Sequence, residues 1–484
     1  MDMEIIMSTP SYNSRLGLFD DPTLPLVATV MDVNAMPEQF TRYLHASGVD
    51  PKWQVMKCAI EKVYYRPGKH CGVLYRLALR HVSGAETDEW IYGRTVPAGT
   101  EEERFEKALA GLKPTPSAHE FLRPLPPISF WRDLNMILWV FPQDPDLETL
   151  PQSVDSAYVR QQVEANLEAF GVSANGSAAQ WRCPEFYYDR IKFMPSKRCV
   201  LRYHVNLLDP SGKSHEKTFY CKIYNNGNSR YHFDMLKSAY EQLTVKSAAV
   251  NIPRPLLHFD GLHTFWQEEW PGHALLDVID QYDWQDIFRR VALVLASFHR
   301  SPANGFDAAP NLNEVLEKAD EDAAKLLRLW PQQQALVSRV LELLHATKPV
   351  FDKQEMPAVP IHGACRIEQM LARGNELALV DFDAVTLGDP IHDVAELIAS
   401  LQYMGLTRGL DSERIAVASE AFYRSYAEQV PWACDRRRIG WYALAFLMTK
   451  FYSSTKNLER RALQQIETAG KAICEDWLNT VGAM

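Results

Sequence analysis

Residues 359–397 read VPIHGACRIEQMLARGNELALVDFDAVTLGDPIHDVAEL. In order, the run sets down a His-Gly turn (His362-Gly363), a short loop, an amide side chain (Gln369), a hairpin, and an acidic pair (Asp381, Asp383) after an apolar strand. That is the order a phosphate-transfer site needs. Transfer of a phosphoryl group is mostly positioning and charge neutralisation, so carboxylate and amide oxygens at the ends of rigid elements are its natural equipment. Asp389 precedes Pro390 at the start of the next apolar-periodic stretch, which reads as a helix N-cap with proline at the first helical position, and Asp393 lies one turn on. Both therefore read as structural.

Upstream of this run the chain repeats itself. Residues 63–112 and 191–240 match at a constant offset of 128. Pro67 pairs with Pro195, Lys69 with Lys197, Cys71 with Cys199, Tyr75 with Tyr203 and Tyr92 with Tyr220. Ser83-Gly84 falls on Ser211-Gly212, and Phe105-Glu106 on Phe233-Asp234. No gap is needed, and turn residues fall on turn residues, which marks an internal duplication. Each copy reads as strands followed by a helix. In the second, Arg190–Phe193 is a short strand, Pro195-Ser196-Lys197-Arg198 a turn, Cys199–Leu208 an alternating half-buried strand, Asp209–Gly212 a hairpin turn and Thr218–Tyr224 a third strand. Ser229–Leu243 carries helical spacing.

Beyond Gly272 the pattern turns helical over Leu275–His299, Leu312–Leu329, Gln332–Ala346, Ile391–Tyr403, Ser412–Gln429, Arg436–Tyr452 and Glu459–Val481. Boundaries fall near Pro151–Asp155 and Pro271-Gly272. The expected division is a degenerate first repeat (1–155), a second strand-rich repeat with a hinge (156–272), and a helical region (273–484) bearing the loop and hairpin.

With these parts in place, the chain resembles the aminoglycoside phosphotransferase and choline kinase-like family. That family's signature runs H-G-D-x-x-x-x-N, or Gln at the last place, then an apolar strand, [IV]-D-[FW]-D, G-D-P and a further Asp. Here it reads His362-Gly363-Ala364, Gln369, Val380-Asp381-Phe382-Asp383, Gly388-Asp389-Pro390 and Asp393. The resemblance covers roughly residues 185–484 and is sharp over 361–397. It implies an α+β, protein-kinase-like two-lobe fold, here with a duplicated strand-rich N-lobe and a mainly helical C-lobe. It also implies ATP and Mg²⁺ as cofactors and a small-molecule acceptor hydroxyl.

The resemblance places a metal-binding carboxylate at Asp381, and Gln369 supplies a carbonyl oxygen across the hairpin; Mg²⁺ takes such hard oxygen ligands. Lys222, in the strand Phe219–Tyr224, stands where the family carries its phosphate-contacting lysine, oriented by Asp234 or, second, Glu241 on the following helix. The first repeat holds Arg94 at the matching place, with Glu106 matching Asp234. Lys197 and Arg198 lie in the turn where a phosphate-covering loop belongs. Gln267–Gly272 resembles the hinge, with the backbone around Glu269 and Trp270 meeting an adenine ring. Lys222 and Asp381 are expected to act on one triphosphate.

The departure is Ala364, where the family has the Asp that accepts or orients the acceptor proton. Glu368 is the substitute base if the loop bends, and Arg366 either stabilises transferring charge or pairs with Glu368. His362 is a structural imidazole by the same resemblance. The alternative is a catalytically impaired pseudokinase that binds nucleotide or a protein partner without phosphoryl transfer. The first repeat, lacking a helical lobe of its own, is expected to pack on the second or to cover the cleft.

Composition sets the remaining bounds. The chain has 484 residues, 46% hydrophobic and 23% charged, in the ordinary globular range. A net charge of −10 argues against nucleic-acid or anionic-membrane binding. The N-terminal residues 1–22 have no charged region followed by an apolar run, and no stretch of about 18 apolar residues reads as a membrane span. The eight cysteines are scattered without a C-x-x-C, as in a reduced, cytoplasmic protein.

Overall fold

The computed structural model describes residues 21–114, 126–172, 181–225, 227–245, 250–303, 305–306 and 312–483. Residues 1–20, most of the stretch read for a secretory signal, lie outside these. The chain forms two compact units, one built from residues up to 230 together with 256–267, the other from 231–255 and 268–484.

The first unit holds two five-stranded sheets of the same order. One is β1 (Trp53–Arg66), β2 (His70–His81), β3 (Glu86–Thr95), β5 (Met136–Val140) and β4 (Ile128–Trp131). The other is β6 (Arg182–Met194), β7 (Arg198–Leu208), β8 (Ser214–Tyr224), β10 (Thr264–Glu268) and β9 (Pro255–Phe259). The offset of 128 holds far beyond 63–112. Helix Glu101–Ala110 matches helix Ser229–Ala239, and the 3-10 turn Arg132–Leu134 matches Asp260–Leu262. Each turn ends on a left-handed residue, Asn135 (φ 47°) and His263 (φ 48°). The strand expected at Arg190–Phe193 is much longer, 13 residues, and the third strand starts at Ser214. Polar residues along β6 hid its start, because they face outward from a sheet held by backbone pairing.

Two polar devices are also duplicated. Tyr75 and Tyr203 are both fully buried, and each hydroxyl donates to the carbonyl ending a short helix ahead of its sheet, Val30 at 2.6 Å and Ser153 respectively. Phenylalanine would leave that buried carbonyl without this donor, at a cost of about 1 kcal/mol, so the bond selects tyrosine here. Ahead of each copy an aspartate anchors the first hairpin. Asp21 accepts from the Gly68 amide at 2.8 Å, and Asp144 from the Ser196 amide at 3.0 Å. This second pair is offset by five fewer residues than the rest, which concealed it from a constant-offset comparison.

The two sheets share one apolar cluster. It takes Leu74, Tyr92, Ile137 and Trp139 from the first and Leu201, Tyr203, Phe219 and Trp266 from the second. Phe193 packs against Trp90 (6.2 Å between ring centroids) and Phe141 (5.5 Å). The first repeat therefore packs on the second sheet, as one of the two expectations had it.

The second unit is mainly helical. Its central helix, Arg436–Lys456, is buried nearly all round, as an interior helix must be when apolar residues encircle it. Trp441 and Trp330 lie in its core, and Trp441 Nε1 donates to the Leu344 carbonyl at 3.0 Å. Two expected helices are broken. Leu275–His299 becomes Leu275–Val278, a 3-10 turn, and Trp284–His299, because Asp283 caps a fresh helix by accepting from the Asp286 amide at 2.9 Å. Glu459–Val481 is interrupted by a π-turn at Ile466–Gly470, and the helix expected over Gln332–Ala346 runs Gln334–Asp352. No described helix is long and apolar enough to cross a membrane.

Candidate active site

Four short strands present the signature segment within the helical unit. β12 (Val359–Ile361) pairs antiparallel with β15 (Thr386–Gly388), so the His-Gly turn and the Asp-Phe-Asp turn leave from one ladder. β13 (Met370–Arg373) and β14 (Glu376–Leu379) form the hairpin between them, and β11 (His273–Ala274) flanks β13. The Val380 amide donates to the Gln369 carbonyl at 3.0 Å, so Gln369 and Asp381 emerge at the same end of the hairpin.

Asp393 ties the loop down. It is wholly buried on helix Ile391–Arg408 and accepts from the His362 amide (2.5 Å) and the Gly363 amide (3.0 Å). His299 Nε2 lies 3.2 Å from the same carboxylate and His392 Nδ1 3.4 Å. Burial works against ionisation, but the hydrogen bonds and charges of His299 and His392 hold this carboxyl below the ordinary carboxylate range. His392 is held up in turn: burial pulls it down, and Asp393 more than offsets that. His299 also meets the Tyr426 hydroxyl at 2.6 Å, which fixes its ring. Asp389 accepts from the Ile391 amide (2.9 Å), Arg438 Nε (2.6 Å) and the Tyr442 hydroxyl (2.9 Å), so both acids after the hairpin are structural.

The His362 ring joins the two turns. Its Nε2 lies 3.0 Å from the Val380 carbonyl, and its ring sits 5.3 Å from that of Phe382. Gly363 has φ 70°, and a Cβ there would come within 2.2 Å of the Ala384 carbonyl, so only glycine fits. Asp381 itself has φ 68° and ψ 56°, a left-handed conformation that aspartate tolerates better than most residues but that still needs support. The buried Phe382 ring and the His362–Val380 contact supply that support.

The remaining expected residues fall as follows. Glu368 is exposed on a 3-10 turn, and Arg366 donates from Nε to Gln369 Oε1 at 3.1 Å instead of pairing with Glu368. Ala364 is half-buried and brings no polar atom. Glu269 and Trp270 are half-buried, and the Arg373 guanidinium lies 5.4 Å from the Trp270 ring centre. Asp234 and Glu241 are exposed. In the sheet unit, Lys222 on β8 is 7% exposed, its Nζ 5.6 Å from the Phe265 ring centre. Lys197 is exposed in the β6–β7 turn. Sequence reasoning did not find His299 or Tyr426; they lie 94 residues before and 33 after Asp393, and no local pattern links them to it. All eight cysteines are free thiols, seven of them buried.

A magnesium-type ion takes few, hard oxygen ligands. Asp381 offers a carboxylate of that kind. The Gln369 oxygen, however, already accepts an N–H from a cationic guanidinium. No group of three or more His, Cys, Asp or Glu that could hold a metal occurs among the described residues. The donor set fits an ion held by Asp381 and a ligand's own phosphate oxygens. It fits Gln369 as a further ligand only once Arg366 has moved.

Residues 202–428 match the model of the phosphotransferase enzyme family, and the resemblance drawn from His362–Asp393 stands. The fold is α+β, with a duplicated five-stranded sheet and a mainly helical region. Among solved structures, a thermostable mutant of aminoglycoside phosphotransferase APH(4)-Ia, in ternary complex with ADP and hygromycin B, is similar at 15% identity and a TM-score of 0.43, over 67% of this chain and 99% of that one. Choline kinase LicA from Streptococcus pneumoniae is similar at 10% identity and a TM-score of 0.40, over 68% and 99%. Amicoumacin kinase hAmiN, in complex with AMP-PNP, Ca²⁺ and Ami, is similar at 13% identity and 0.41, over 60% and 88%. No curated protein matches the chain.

Proposed function

We propose that the chain is an ATP-dependent kinase for a hydroxyl of a small molecule, slowed by the loss of its general base. The observation that carries this reading is the Asp393 clamp. A wholly buried carboxylate is spent on holding the His362-Gly363 loop beside a left-handed Asp381, although the loop has lost its catalytic Asp. A fold retaining only its shape has no need of an anchored loop and an aspartate in a strained conformation.

In this reading Lys222 contacts the nucleotide phosphates, Lys197 assists from its turn, and the Glu269-Trp270 segment meets the adenine. Asp381 holds the metal. Mg²⁺, when bound there, supplies the charge that neutralises phosphate oxygens. Arg366, half-buried and held on Gln369, carries a fixed positive charge on the loop itself and suits the developing charge of a transferring phosphoryl group. Glu368, the nearest carboxylate in sequence, takes the acceptor proton if the loop shifts; otherwise transfer runs without a base and is about a hundred- to ten-thousandfold slower. The division into 1–155, 156–272 and 273–484 assigns these roles to the second repeat and the helical region.

The impaired alternative, binding nucleotide or a protein partner without transfer, is favoured by Ala364 and by the degenerate first repeat. Melting of wild type and Asp381→Ala with ATP and Mg²⁺, followed by phosphorylation of a panel of hydroxylated and aminated small molecules, separates the readings. A metal-dependent rise in melting temperature, lost in Asp381→Ala, together with product on at least one acceptor supports the kinase. A shift without product on any acceptor supports the impaired alternative. No shift in wild type ends both nucleotide readings.

A further inference from the structure

We propose that Arg94, a residue of the first repeat, is a positioning residue for the β6–β7 turn of the second, and so sets how firmly that turn holds a nucleotide's phosphates. The inference rests on the phosphotransferase reading above. Arg94 Nη2 lies 3.0 Å from Ser196 Oγ, a contact between residues 102 positions apart. Ser196 is the apex of Pro195–Arg198, and Lys197 follows it.

Comparison of the two copies shows what the contact is for. In the first copy the apex is Gly68, at φ 66°; in the second it is Ser196, at φ 63°. Glycine takes that conformation freely, whereas serine takes it only under constraint. The serine supplies what glycine lacks, a hydroxyl that accepts from Arg94. The rest of the turn is equally fixed. Asp144 takes the Ser196 amide at 3.0 Å, and Asn225 donates to the Ser196 carbonyl at 2.7 Å and, through its backbone amide, to the Lys197 carbonyl at 3.1 Å.

Arg94 is itself immobilised. Its guanidinium lies 5.4 Å from the ring centres of both Tyr92 and Trp139, and a planar cation packed against two aromatic rings is restricted in orientation. The contact has a counterpart in the opposite direction. Arg190 of the second sheet donates to the Asp88 carbonyl at 2.9 Å while lying over Trp90 (5.3 Å) and Phe141 (5.4 Å). The two sheets are thus cross-tied, and the first copy's equivalent of Lys222 is redirected onto the other copy's turn. This gives the first repeat, which has no helical region of its own, a part in the second repeat's site.

The test titrates ATP with Mg²⁺, and separately adenosine, into the full chain as wild type, Arg94→Met, Ser196→Ala and the double variant. The expected result is about tenfold weaker ATP binding in either single variant, of the order of one charge-assisted hydrogen bond. Adenosine affinity stays unchanged, since adenosine has no phosphates. The double variant should be no weaker than the singles, because both remove one interaction. Arg94→Lys, which keeps the charge and donor, should recover part of the loss. Equal ATP affinity in all variants overturns the inference and leaves the kinase reading standing. Parallel loss of ATP and adenosine also overturns it, because that marks general damage to the fold. Absence of ATP binding in wild type ends the kinase reading and this inference with it. Should Arg94→Met fail to fold, Ser196→Ala alone decides, since it deletes only the acceptor.

Discussion

Replacing Asp393 by Asn tests the clamp directly. The carboxylate oxygens face four donors: the His362 and Gly363 amides at 2.5 and 3.0 Å, His299 Nε2 at 3.2 Å and His392 Nδ1 at 3.4 Å. An Asn has one oxygen and an NH₂, so two donors would face another donor. Hydrogen bonds to a charged group contribute about 1.5–3 kcal/mol each, and breaking a buried ionic pair costs roughly 3–5 kcal/mol, so a loss of about 3–5 kcal/mol is expected. The sign with pH follows from the direction of the shift. The folded-state pKa lies below the unfolded value near 4, so the contribution is complete at neutral pH and is withdrawn as pH falls below about 4. Denaturant unfolding followed by tryptophan fluorescence, at pH 7 and at about pH 2, measures both. Asp393→Asn should unfold at much lower denaturant at pH 7, and the gap between variant and wild type should narrow at the lower pH. A loss below about 1 kcal/mol at pH 7 would show that the buried carboxylate does not hold the loop, and the argument from its retention would fail.

Installing the absent acid, Ala364→Asp, should raise phosphoryl transfer to an accepted small molecule by about a hundred- to ten-thousandfold, read as initial rates; an unchanged rate would place the acceptor proton elsewhere. Arg366→Ala releases the Gln369 oxygen, so nucleotide binding should saturate at lower Mg²⁺ concentration, as a melting-temperature titration against the metal would show. Burial pushes the Asp144 carboxyl up to about 6, against the pull of the Asp146, Ser196 and Leu147 amides. A raised folded-state pKa means the folded chain takes up a proton first as pH falls. Stability of the sheet unit should therefore rise between pH 6 and 4 by up to roughly 3 kcal/mol, and Asp144→Asn should abolish that rise. Tyr75→Phe and Tyr203→Phe should lower stability by similar amounts, about 1 kcal/mol each in a denaturant midpoint, because each deletes the same buried bond to a helix-ending carbonyl.

The sequence by itself determined what depends on near neighbours or on regular spacing. The order from His362 to Asp393 is local, and its glycine, proline and aspartate positions follow from turn and cap geometry. The duplication was legible because strands and turns repeat at one interval, and Tyr75 and Tyr203 could be paired before their role was known. Only the tertiary structure decided which distant groups meet. His299 and Tyr426 reach Asp393 from helices that share no pattern with it, and Arg438 reaches Asp389 across 49 residues. The pairing of Asp21 with Asp144 was hidden by a change of interval, although each performs the same task at its own hairpin. The sequence shows only that Arg94 stands at the place matching Lys222; the fold brings its guanidinium to Ser196. The physical reason is the same in each case. Backbone periodicity and turn chemistry are set over a few residues, whereas the partner of a buried charge is whatever the packed core brings alongside it.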